Sequence, residues 1–374
     1  MDALVRSDCN SNRLIHPARI RAIDQPLEAL DGHPLQATIK SEMAMLRPSL
    51  PDLSGYARLS PADAIGRRFA CGGYNISFGA TGAVTHLARH SSGNIWASED
   101  SRLLELHYQA LNFSDYLSFY DNYFPLHCTS ESTLHCTAES AGYPCGSYGK
   151  PGLNTNGTGP KSQLVAPRMT ALYHRMQQQQ DGGEQCLFQI DLAFPAALVS
   201  DFGAPARCMM EVEVSQTVLH PTLRMFNKTS TRRPEAMWIT MQPSAASAAV
   251  PQITMNKLGA SCDGCDKGSW IDAASVVHNG SQRVHAVSDL GVQVRRPGAG
   301  SASFVSWDSA LVRVGADELT PLPTPSTPPN TSAGFAFNLW NNAWGTNYVM
   351  WYPFDELRRP EDRDLLFRLA IDVD

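Results

Sequence analysis

The chain has 374 residues, of which 43% are hydrophobic and 18% charged, with a formal net charge of −6. That apolar share supports a packed core and excludes a disordered chain, and the acidic balance excludes a broad basic surface for nucleic acid. No apolar run approaches the ~18 residues of a membrane-spanning helix, while Gly 27 and Pro 25 point to many turns between short strands.

Residues 1–60 read as a polar, helical lead-in. Leu27, Leu30, Leu35, Ile39, Met43 and Leu46 recur at roughly helical spacing, and Pro48 and Pro51 close the segment. From Arg67 the period falls to two. Phe69 to Phe78 reads as a strand with Gly79-Ala-Thr-Gly82 as its turn. Val84–Leu87, Ile95–Trp96 and Leu103–Tyr108 follow as strands, then a short helix opens at Asn112 with Ser114 as its cap. Residues 125–185 read as loop. Strands resume at Leu187–Phe194 and at Met210–Val214, where Glu211 and Glu213 alternate onto a wet face. Further strands are expected at Glu235–Met241 and near 283–293, 303–314 and 334–340. Leu365, Phe367, Leu369, Ile371 and Val373 alternate with polar residues as a half-buried final strand. With no short internal repeat, the sum is mainly β: a large antiparallel sandwich over 61–374 behind a helical stub at 1–60.

Two features speak to compartment. Asn75, Asn112, Asn156, Asn227, Asn279 and Asn330 each open an acceptor triplet for N-glycosylation, where chance supplies roughly two or three. Of nine cysteines, Cys128, Cys136 and Cys145 cluster in a polar stretch that suits a disulfide-stapled loop, and the odd count leaves at least one thiol without a partner in the chain. Both point to the secretory pathway or the extracellular space. The opening Met-Asp-Ala-Leu-Val-Arg-Ser-Asp lacks the basic and apolar regions of a signal peptide. The chain therefore reads either as cytosolic or as lacking its true N-terminus.

The densest candidate site is Phe337 to Tyr352. Its amides suit paired sugar hydroxyls and its indoles suit the C–H faces of sugar rings. Asn341, Asn342, Trp344, Thr346, Asn347 and Trp351 are its carbohydrate-contact candidates. Arg232 and Glu235, split by Pro234, are a second group. Glu235 at a strand mouth could serve as a base or accept a hydroxyl, or simply pair with Arg232 on the surface. His285 is a weak acid–base partner for Glu235. His127 and His135 beside Cys128 and Cys136 lack zinc spacing, and Cys262-Asp-Gly-Cys265 is a lone pair, so no metal or other cofactor is expected in this chain. Phosphate-binding loops, a nucleophile elbow and an HExxH helix motif are absent from the sequence.

Several spaced motifs resemble the C-terminal half of the domain-of-unknown-function family 5054, itself similar to the glycoside hydrolase family 38 alpha-mannosidases. Tyr74 to Val84 resembles that family's hairpin, and Leu104 to Tyr116 its Y-Q-x-F-like step. Lys228 to Trp238 is similar to K-x-x-x-R-x-P-E-A-x-W, and Asn341 to Asn347 to N-N-x-W-x-T-N-F, departing from it with Tyr348 in place of the Phe. The resemblance implies a galactose-mutarotase-like supersandwich that backs a catalytic α/β barrel holding zinc and a nucleophilic aspartate. No such barrel is encoded ahead of residue 40, so zinc and catalysis are expected in an N-terminal domain absent from this chain. Function is then expected as the carbohydrate-facing part of a glycosidase-like protein, supporting glycan binding or hydrolysis. Two alternatives stand beside it: a free-standing mutarotase-like lyase or epimerase using Glu235 and His285, and a non-catalytic secreted interaction module.

Overall fold

The computed structural model describes residues 25–112, 161–178, 184–229, 235–244, 251–256, 270–272, 284–288, 290–316, 329–341 and 363–374. Residues 25–29 and Pro34–Met45 are helical, as the leucine spacing predicts. His33 caps the second helix by accepting from the Leu35 amide. That helix buries none of its residues, so it lies off the core.

The fold is mainly β, and among the described residues the strands all pair antiparallel, in three sheets. The largest has ten strands. Its centre is Arg168–Gln178, Glu184–Ala193, Arg207–Val214, Val218–Phe226 and Leu365–Val373 in spatial order, continued by Ser301–Ser306, Val292–Arg295 and Gln252–Asn256. Ala57–Leu59 is its first edge, so the sheet begins within the expected helical stub. Burial alternates along Val218–Phe226 and Leu365–Val373, with Phe367, Leu369, Ile371 and Val373 inward as their period requires. Glu211 and Glu213 are half-exposed between buried neighbours.

A six-stranded sheet runs Val284–Ala286, Leu311–Val314, Phe335–Asn341, Glu235–Met241, Glu105–Ala110, Gln163–Val165. A four-stranded sheet runs Phe69–Cys71, Tyr74–Phe78, Val84–Arg89, Ile95–Ala97. Both pack on the ten-stranded sheet. Phe304 meets Phe335 at 5.2 Å between ring centroids, and Phe78 meets Phe188 at 5.0 Å. Side chains from all three sheets form one continuous apolar core.

Three expectations are corrected here. The stretch 125–185 is not all loop: Gln163–Val165 and Arg168–Gln178 are strands. The long one hides its period because a bulge at Met169–Ala171 breaks the alternation and its Arg-Met-Gln-Gln end is wet. Phe69 to Phe78 is a hairpin rather than one strand. Gly72 and Gly73 make its turn, and a Cβ on Gly73 would stand 2.3 Å from the Gln216 carbonyl. Likewise 303–314 is two strands, divided at Trp307–Ala310.

That first hairpin carries a disulfide outside the expected cluster. Cys71 bonds Cys186 of the ten-stranded sheet, with Cα atoms 5.5 Å apart and a sequence separation of 115. Cys208 is a free, buried thiol whose pKa burial pushes up. Cys128, Cys136, Cys145, Cys262 and Cys265 lie outside the described residues. No helix among the described residues is long and apolar enough to cross a membrane.

Candidate functional site

The two central strands of the six-stranded sheet, Glu235–Met241 and Phe335–Asn341, are buried on both faces. Alternation sends Met237, Ile239 and Met241 into the main core and Ala236 and Trp238 to the other face, where they form a separate small cluster. Register then decides what stands beside Trp238. His107 is opposite on one side and Asn338 on the other. Ala236 lies between Gln109 and Asn341, and Thr240 between Glu105 and Ala336, with Arg313 opposite Ala336. This second face, called outer because it turns away from the main core, mixes polar groups with the Ala236, Trp238 and Ala336 cluster, and Gln109, Trp238, Arg313 and Asn338 are all buried in it.

Its polar groups are organised by one another. The Trp238 indole N–H donates to Gln109 Oε1 at 2.8 Å, and the Arg313 guanidinium lies 4.3 Å from the centroid of the Trp238 ring. Asn341 Nδ2 donates to Asn338 Oδ1 at 2.6 Å. Asn338 Nδ2 in turn reaches the Met237 and Trp340 carbonyls at 3.4 and 3.3 Å. His107 Nδ1 and Thr240 Oγ1 are 3.3 Å apart. Gln109 is 1% exposed and Arg313 2%, whereas Asn341 is half-buried.

A bulge at Leu339 makes the asparagine pair possible. Strict alternation from Asn338 would turn Asn341 inward. The register shift opposite Met237/Trp238 puts Asn341 back on the outer face, and puts Trp340 on the inner one beside Met237.

On the inner side a charged group is enclosed. Glu235 and Lys228 are both 0% exposed. Lys228 Nζ donates to Glu235 Oε1 at 2.8 Å and to the Thr229 carbonyl at 2.7 Å, and lies 4.9 Å from the Trp340 ring centroid. The Tyr108 hydroxyl donates to Glu235 Oε2, with the Phe202 carbonyl 3.0 Å away. Both carboxylate oxygens are thus engaged, and the negative charge is matched by an ammonium in a dry setting. Lys228 lies two residues past the strand Val218–Phe226 of the ten-stranded sheet, and its amide donates to the Arg363 carbonyl at 2.9 Å. The group therefore ties the two large sheets together at one end.

Against known families, residues 17–219, more than half of the chain, match the model described as domain of unknown function DUF5054. The chain belongs to the DUF5054 family. No curated protein matches it. Among solved structures, it is similar to a galactose mutarotase-like protein from Clostridium acetobutylicum, with 9% identity and a TM-score of 0.42, over 82% of this chain and 94% of that one. A galactose mutarotase-like protein from Lactobacillus casei gives 8% identity and the same TM-score of 0.42, over 82% and 99%. A copper-containing benzylamine oxidase from Hansenula polymorpha gives 11% and 0.33, over 87% and 62%. Likenesses at these scores carry nothing about substrate.

Of the catalytic and carbohydrate-contact residues expected from the sequence of this DUF5054 chain, Glu235, His285 and Asn341 are described, and Glu235 and Asn341 sit on opposite faces of the same sheet. Arg232, Asn342, Trp344, Thr346, Asn347 and Trp351 lie outside the described residues. Glu235 is not at a surface mouth: Lys228 and Tyr108 hold it inside. His285 is half-buried on the edge strand Val284–Ala286, three strands from Glu235. At about 4.8 Å per strand spacing and about 3.3 Å per residue of offset, the two are not brought to one sugar ring. Among the described residues, no His, Cys, Asp and Glu group could hold a metal ion. Tyr108, Gln109, Lys228, Trp238 and Arg313 were not expected at the site, while Asn338 lies within the dense stretch 337–352 without being singled out there. A signal for four of them was present: Tyr108 and Gln109 stand in one spaced motif of the sequence, and Lys228 and Trp238 in another.

Proposed function

We propose that this chain is a carbohydrate-recognising β-sandwich, and that it takes its ligand at the Asn341 end of the six-stranded sheet's outer face. One observation carries this: three distant stretches of the chain meet there, so that Gln109, Trp238, Asn338 and Asn341 share one face, where Trp238 holds Gln109 and Asn341 holds Asn338. Buried amides that satisfy each other keep their neighbours' orientation without mobile water. Asn341 is the half-buried member, with Asn338 holding its Nδ2. The strand then runs directly into Asn342, Trp344, Thr346, Asn347 and Trp351, whose amides and indoles suit hydroxyls and ring faces.

Within this reading Glu235 is a positioning group, because its carboxylate is already spent on Lys228 and Tyr108. A free-standing lyase or epimerase built on Glu235 and His285 is disfavoured by their separation. Kinship with the family 38 alpha-mannosidases rests on the sequence motifs alone. Its test is aryl-mannoside hydrolysis by the protein as its gene encodes it, where measurable turnover supports the kinship and none contradicts it. The binding reading is tested separately, by titrating a panel of mono- and oligosaccharides against tryptophan fluorescence. A saturable change that Asn341→Ala weakens supports it, and no response to any sugar contradicts it.

A further inference from the structure

We infer that this chain matures in an oxidising, glycosylating compartment, where Asn227 and Asn330 are modified while Asn75 is passed over. The inference is independent of the carbohydrate-binding reading. Two unrelated observations carry it.

The first is the geometry of the acceptor triplets. In Asn227-Lys228-Thr229 the lysine is drawn inward to Glu235, and Asn227 and Thr229, on either side, are both exposed. The Asn227 backbone is fixed in the left-handed region at φ 55°, and its amide donates to Asp364 Oδ1 at 3.0 Å. In Asn330-Thr331-Ser332 both Asn330 and Ser332 are exposed, and Asn330 Oδ1 accepts from the Ser332 amide at 3.0 Å, which leaves the Nδ2 group turned away. Asn75-Ile76-Ser77 differs. It lies on the inner strand Tyr74–Phe78 between two others, Asn75 is half-buried, and Ser77 is 4% exposed with its hydroxyl 3.4 Å from Thr85 Oγ1. The Ser77 hydroxyl that the acceptor triplet must present is therefore enclosed, unlike those of Thr229 and Ser332.

The second is the Cys71–Cys186 bond, formed between two side chains that are both buried. Such bonds form and persist in oxidising compartments.

The chemistry balances as follows. Asn Nδ2 attacks the anomeric carbon of an oligosaccharide carried on a polyprenyl diphosphate. The new C–N bond forms as the C–O bond to the diphosphate breaks, the polyprenyl diphosphate leaves, and the amide loses one proton. For the bridge, two thiols give up two protons and two electrons to a carrier disulfide, which is reduced to a dithiol.

The test is peptide mapping by mass spectrometry on the protein isolated from its own cells, with glycans cleaved by an amidase in heavy-oxygen water. The expected result is heavy-oxygen aspartate at positions 227 and 330, none at 75, and a Cys71–Cys186 cross-linked peptide before reduction. An unlabelled 227 or 330, a labelled 75, or Cys71 and Cys186 recovered as free thiols would each overturn the inference. A second measurement reads occupancy without mapping. Secreted Asn227→Gln and Asn330→Gln variants should each migrate faster, by one glycan's worth of apparent mass, whereas Asn75→Gln should migrate like the wild type. A faster Asn75→Gln, or no shift in the other two, contradicts it.

Discussion

Glu235 shows how far a single residue's role depends on where its strand begins. Placed after Pro234, it could have been a surface acid, but the first residue of Glu235–Met241 faces the interior beside Tyr108 and meets Lys228. Removing one member of a buried ion pair leaves the other charge unpaired, at a cost of about 3–5 kcal/mol. Glu235→Gln and Lys228→Met should each destabilise by that order in urea unfolding. The double variant should cost much less than the sum, and additive costs would show that the pair is not coupled. Tyr74 offers a pH handle. Its hydroxyl donates to the Thr217 carbonyl at 2.5 Å, and burial pushes its pKa up to about 12. An unfolded phenol ionises near 10. As pH rises from about 10 to about 12 the unfolded chain releases a proton that the folded chain retains, so stability falls across that window. Tyr74→Phe should lose less stability than the wild type between pH 9 and pH 11, and an identical fall in both would exclude the Tyr74 phenol as a cause.

Elements were legible where period and turn agreed. The final strand, the Met210–Val214 alternation and the Glu235–Met241 strand all follow from spacing, because one face of each is apolar. The Arg168–Gln178 strand was not legible, since a bulge resets its phase and its wet end carries no apolar period. The Leu339 bulge is invisible for the same reason: one extra residue looks like ordinary sequence until a partner strand sets the register. The Cys71–Cys186 bridge was likewise unreadable, because pairing depends on which strands become neighbours. A bridge across 115 residues restricts the unfolded chain by about 4–5 kcal/mol in the chain-entropy model. Cys71→Ala with Cys186→Ala should lose stability of that order. A loss below about 1 kcal/mol would contradict the bridge's role in fastening the four-stranded sheet.

At the scale of the molecule, composition and alternation were enough for a mainly β, antiparallel fold, since 43% apolar residues in short alternating runs can be buried in few other ways. They could not say which strands would be neighbours, and the site depends on that. Residues 105–110, 235–241 and 335–341 come from three distant parts of the chain and converge because Glu235–Met241 is paired on both sides. The outer face they make is the claim on which function rests. Its most direct test is a fluorescence titration with the saccharide panel, on the wild type and on Asn341→Ala, Asn338→Ala and, as a remote control, Arg368→Ala. The predicted result is saturable binding that Asn341→Ala weakens about tenfold, the loss of roughly one hydrogen bond to a ligand, that Asn338→Ala weakens in the same direction, and that Arg368→Ala leaves unchanged. Equal affinity in all four proteins, or no binding in any, would contradict it.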